Sequence, residues 1–170
     1  MNMQRSETEN NSIIEKYWPK KIYIAGPDVF RPDAKEIGKY YKTICEKYNF
    51  IGLFPLDNES SDPFEIGDMN EALIDEADYV VANMNPFRGL GMDDGTAYEI
   101  GYARHAGKPV YGYMDDIRDM RTKIGETDAD GNNVENFGFP NNLMIARRSI
   151  IVEGGFEDCI KIVGKVPIIS

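Results

Sequence analysis

The sequence predicts an α/β fold of three layers, with a central parallel sheet of five strands between helices. Three observations predict it. Short apolar runs recur along the chain, among them "KKIYIAG", "DYVVANM" and "KPVYGYM". Between them lie stretches with helical spacing of apolar residues. Apolar runs without polar alternation belong to strands buried on both faces, and strands alternating with helices form parallel sheets covered on both sides. A flavodoxin-like or Rossmann-like arrangement follows, with ligands expected at the carboxyl ends of the strands.

Each element can be argued in turn. "KKIYIAG" reads as a first strand, Lys20 to Ala25, feeding a loop at "GPDVFRPD". From Asp33 to Tyr48, Ile37, Tyr40, Tyr41, Ile44 and Cys45 fall on one helical face. "FIGLFP" is a second strand, and "LDNESSDP" carries turn chemistry. A second helix starts near Asp62, with Pro63 suited to its first turn, and runs to about Glu76. "DYVVANM" is the third strand and "NPFRGLGMD" a Gly-rich loop. The third helix runs from about Gly95 to Ala106 and stops at Gly107, and "KPVYGYM" is the fourth strand. The polar segment from Asp115 to Pro140 is mostly irregular, with room for one helical turn. "NNLMIARR" opens a short helix, "SIIVEG" is the last strand and "FEDCIKIVG" a closing helix.

The 170 residues suit one domain, 20–170, behind a flexible polar leader over 1–19. The leader lacks the apolar centre of a signal peptide, and no apolar run is long enough to span a bilayer. Cys45 and Cys159 alone make no disulfide framework, so a cytoplasmic setting is expected. A formal net charge of −10 argues against nucleic-acid polymers and acidic membranes as partners, and leaves small neutral ligands open.

The chemistry concentrates in "MDDGTAYEIGYA", Met92 to Ala103. Asp94 is the expected N-cap, with Gly95 and Thr96 opening the helix. Glu99 falls in the first two turns, where the positive helix end would favour its ionised form by roughly 0.3–1 kcal/mol. Gly101, Ala97 and Ala103 are expected to let the helix approach the sheet closely. Glu99 should then lie at the edge of the buried face, where it needs a hydrogen bond. Tyr23 is a natural donor if the first strand is central. Alone, the stretch reads more simply as an ordinary helix start with solvated acids than as a site.

"KIYIAGPDVF", "NPFRG", "DDGTAYEIGYA" and "FPNNLM", in that order and spacing, resemble the nucleoside 2-deoxyribosyltransferase family over residues 20 to about 165. By that resemblance, Glu99 is the nucleophile that attacks C1′ of a 2′-deoxynucleoside and forms a covalent deoxyribosyl-enzyme. Tyr23 orients it and Asp93 holds the sugar hydroxyls. Asn142 reaches a neighbouring subunit's site, with Met144 close to the subunit boundary, which implies a homo-oligomer. Asn70 stands where the best-known bacterial members have an aspartate near the base. An amide there would select the base rather than protonate it. The partners so implied are 2′-deoxynucleosides and free nucleobases, in nucleoside salvage. A carboxylate beneath the ring captures an oxocarbenium-like state, so neither cofactor nor metal is expected.

Other residues admit two readings each. Arg88 could contact a base that Phe30 and Phe87 sandwich, or the two Phe residues could anchor loops with Arg88 solvated. Asp28 could face the base or serve the turn. Asp57 and Asn58 read as a turn, and His105 as an exposed dipole partner at a helix end. Asp115, Asp116, Arg118, Asp119 and Arg121 read as a solvated charge run. Three other functions compete: an N-glycosidase giving the sugar to water, a non-catalytic flavodoxin-like binding module, and a purely structural oligomeric subunit, which leaves the acids beside Glu99 unexplained. The first, acting on nucleotides, would need a phosphate cradle that the loops lack. For the second, Lys108 in "GKPV" resembles the Lys-Pro of receiver domains, but the first strand ends in "AGPD" without an acidic pair.

Overall fold

A computed structural model of the protein describes residues 18–58 and 60–165. The leader expected over 1–19 therefore lies almost wholly outside the described residues. Five strands, β1 (Lys20–Ala25), β2 (Phe50–Leu53), β3 (Tyr79–Asn83), β4 (Val110–Met114) and β5 (Ile150–Glu153), form one sheet in the order β2-β1-β3-β4-β5. Every pairing is parallel. The order is flavodoxin-like, as the sequence predicts. Three long helices connect the strands: α1 (Ala34–Lys47), α2 (Pro63–Glu76) and α3 (Asp94–His105). Short helices follow at α4 (Met120–Ile124), α5 (Leu143–Ala146) and α6 (Phe156–Ile160). No helix among the described residues is long and apolar enough to cross a membrane.

The alternation of strand side chains builds two cores. Ile22, Ile24, Val81 and Tyr113 face α1 and α6, and pack on Ile44, Cys45, Phe156 and Ile160. Tyr23, Ala25, Val80 and Ala82 face the other way, against Ile74 of α2 and Ile100 and Ala103 of α3. Tyr23 thus lies under α3, with its ring fully buried.

Local chemistry sets the helix ends. Asp62 accepts from the Phe64 N–H at 2.8 Å, with Pro63 in the first turn of α2. Gly107, at φ +74°, closes α3: its N–H bonds the Arg104 carbonyl at 3.1 Å, and the Lys108 N–H bonds the Ala103 carbonyl at 2.8 Å. Lys108 Nζ reaches the carbonyls of Asp75 and Ala77 at 2.7 and 2.8 Å, so it caps the end of α2. In the polar segment Asp116 pairs with Arg118, while Asp119 caps α4 through the Thr122 N–H at 3.0 Å. The charge run is therefore partly a helix start.

The expected close approach of α3 through Gly101 fails. Gly101 is exposed, and a Cβ added there would meet nothing within 4 Å, so it gives α3 no close approach to the sheet. Ala103, fully buried and packed in the core under α3, makes that contact as expected. The close approach belongs to Gly38 of α1, where an added Cβ would stand 2.5 Å from the Phe54 ring.

Candidate active site

β1 and β3 are neighbours whose connections leave in opposite directions, one towards β2 and one towards β4. That divergence opens a crevice beyond their carboxyl ends. A pocket of about 320 Å³ fills it. Glu99, Thr96, Gly95 and Asp93 of α3 and its cap contribute one side. Gly26, Val29 and Phe30 come from the loop after β1, whose Pro27–Phe30 segment is one turn of 3-10 helix. The remaining wall is Pro55, Leu56, Asn58 and Ser60 after β2, with Ile66, Met69 and Asn70 of α2.

Tyr23 Oη donates to Glu99 Oε1 at 2.6 Å, the short range of a charge-assisted bond. The Glu99 carboxyl is pushed up to about 7, by burial first, with the Asp93 charge adding and the Tyr23 bond opposing. The expectation that the helix end keeps Glu99 ionised is therefore corrected. Glu99 lies beyond the first turn of α3, where the free N–H groups end, and desolvation outweighs the dipole. Burial and the Glu99 charge push the Tyr23 phenol far above its ordinary value, so it serves as a donor.

The helix cap is Asp93, not Asp94, which is the first helical residue. Asp93 Oδ2 accepts from both the Thr96 N–H and the Thr96 hydroxyl at 2.8 Å. Thr96 itself is buried, so these bonds fix the carboxylate of Asp93, a residue that lines the pocket. Capping and facing the pocket fall to one residue where two were expected.

The other expected site residues divide. Asn70 lines the pocket, and its amide has no hydrogen-bond partner among the described residues. Phe30 lines it too, but no base fits between Phe30 and Phe87. Their rings stack at 5.5 Å, and an inserted ring needs roughly 7 Å, two contact distances. Arg88 lies over both rings, 4.9 and 4.7 Å from their centres, and borders an adjoining hollow of about 240 Å³ that shares Asp93 with the pocket. Asp28 does not line the pocket; it accepts from Asn83 Nδ2 at 2.9 Å. Asn142 and Met144 also lie off the pocket. Asn142 caps α5 through the Met144 N–H at 3.0 Å, and its Nδ2 donates to Glu135. Met144 is 60% exposed. His105 is exposed at the end of α3, as its position implies.

Sequence reasoning misses Leu56, Ser60, Ile66 and Met69 as lining residues, and reads Asn58 as part of a turn. Their one signal was position, since the β2 loop follows a strand's carboxyl end. Nothing in the residue types marks α2 as the opposite wall.

Residues 22–144 match the profile of the family described as nucleoside 2-deoxyribosyltransferase. Among solved structures, the 2-desoxiribosyltransferase from Leishmania mexicana is 37% identical with a TM-score of 0.78, over 84% of this chain and 95% of that one. The CMP N-glycosidase BcmB of Clostridium botulinum is similar in fold, at 18% identity and a TM-score of 0.51, over 86% of this chain and all of that one. The uncharacterized protein C191.05c of Schizosaccharomyces pombe is 32% identical over 84% of each chain.

Proposed function

The chain belongs to the nucleoside 2-deoxyribosyltransferase family, and from that premise we propose that it moves 2-deoxyribose from one purine or pyrimidine base to another. The observation that carries the reading is the Tyr23–Glu99 hydrogen bond of 2.6 Å at a pocket shared with Asp93. Ionised Glu99 attacks C1′ of the donor nucleoside. The C1′–N bond breaks, its electron pair leaves with the base, and the base takes a proton. A deoxyribosyl ester of Glu99 remains. An acceptor base then attacks C1′ through its ring nitrogen, loses a proton, and returns the electron pair to the carboxylate. Two inversions give net retention.

Tyr23 stabilises the carboxylate as attacker and as leaving group, since its proton is bound too tightly to be lost. Asp93, fixed by Thr96, accepts from a sugar hydroxyl. Asn70 offers both an amide donor and an acceptor to the base edge, and cannot protonate it. Phe30 walls the base. Asn142 and Met144 belong to a segment that completes a neighbouring copy's site in a homo-oligomer. The activity serves nucleoside salvage.

The pocket lining favours nucleosides over nucleotides. No Lys, Arg or His lines it among the described residues, while Asp93 and Glu99 would repel a 5′-phosphate. Deoxyinosine incubated with adenine, with products separated by chromatography, tests the proposal. Deoxyadenosine is expected. Deoxyribose alone would make the protein a hydrolase, and no reaction would leave a binding module.

A further inference from the structure

We propose that Asn83 is a positioning residue of this site, whose side chain clamps the loop after β1 to the loops after β3 and β4. It thereby holds the pocket wall that carries Phe30. The proposal rests on the nucleoside reading for its consequence, though not for its geometry.

Asn83 is the last residue of β3, and its amide works in both directions. Nδ2 donates to Asp28 Oδ2 at 2.9 Å, while Oδ1 accepts from the Asn85 N–H at 3.1 Å. Asn85 Oδ1 in turn accepts from the Asp115 N–H at 2.8 Å, just past β4. Three strand ends are tied in one chain of hydrogen bonds. Gly26 makes the contact possible: at φ +155°, an added Cβ would stand 2.8 Å from Asn83 Cβ and 3.3 Å from Asp28 Oδ2.

The tied loop bears directly on the pocket. Asp28 sits in the Pro27–Phe30 turn, closed by the Arg31 N–H on the Asp28 carbonyl at 3.2 Å. Val29 and Phe30, the next two residues, line the pocket. At the mouth Phe30 stacks on Phe87 beneath Arg88, so the β1 and β3 loops are joined a second time. The clamp needs an amide at 83, because a carboxylate there could not donate to Asp28. Tyr41 of α1 and Arg31 also face Asp28, with Tyr113 of β4 behind Tyr41.

The test is a polarity swap. Asn83→Asp sets two carboxylates against each other, and Asp28→Asn with Asn83→Asp restores the bond reversed. In the single variant, the donor KM should rise about tenfold at pH near 8, with kcat within about threefold. The rise should shrink at lower pH as the carboxylates share a proton. Hydrogen exchange of residues 27–31 should quicken. The double variant should recover both KM and protection. If the single variant does not fold, recovery of folded protein in the double variant supports the clamp. A double variant no better than the single, or unchanged exchange at 27–31, would overturn it. Absence of base exchange in the unmodified protein would remove the nucleoside reading, and hydrogen exchange alone would then judge the clamp.

Discussion

Glu99 faces two opposed demands, since burial favours its proton and the proposed chemistry needs it gone. Its value near 7 lies between them. The sign for stability follows. The unfolded chain releases this proton near 4.5, whereas the folded protein holds it to about 7. Between those values the native state binds more protons, so stability falls as pH rises, by up to about 3 kcal/mol. Glu99→Gln keeps an acceptor for Tyr23 and removes the charge. It should stabilise the protein at pH near 8, by about 1–3 kcal/mol in urea unfolding, and hardly at all near pH 4. The same variant, like Glu99→Ala, should abolish base exchange, and near-normal transfer would end the nucleophile assignment. Neighbours should move the acid limb of kcat/KM in opposite directions. Tyr23→Phe removes the bond that favours the carboxylate and should shift the limb up. Asp93→Asn removes a repelling charge while keeping a good cap, and should shift it down. Equal shifts in one direction would contradict this electrostatic account.

At the scale of elements, two glycines in helices should respond oppositely to the same substitution. Gly38 lies against Phe54, so Gly38→Ala overpacks the α1 interface and should cost about 1–3 kcal/mol. Gly101 in α3 faces open space, so Gly101→Ala should gain about 0.5–1 kcal/mol from helix propensity alone. Thermal unfolding of the pair reads both signs. Sequence spacing could not tell these glycines apart, because both sit within helical patterns and differ only in what packs opposite. The caps show the same boundary. Asp62, Pro63 and Gly107 were readable since each acts on its own turn. Between Asp93 and Asp94, adjacent and chemically alike, only the φ/ψ of the folded chain decides which one caps.

For the whole molecule, the core between the sheet and the α1 and α6 helices encloses both thiols. Cys45 and Cys159 are fully buried, and burial pushes each thiol up to about 12. Neither should react with a thiol reagent in the native protein, and both should react at once in denaturant; labelling of the native state would show that a core opens. The sequence by itself determined the alternation of strands and helices, the parallel sheet and the resemblance carried by its four motifs. Those follow from apolar runs, helical spacing and caps, which are local and repeat along the chain. Tertiary structure alone decided how Glu99 titrates, that Phe30 and Phe87 close on each other, and that Asp28 answers to Asn83 rather than to the pocket. It also decided that Leu56, Ile66 and Met69 face Glu99 across it. Each depends on distances between segments far apart in sequence, and desolvation and packing act through those distances rather than through order along the chain.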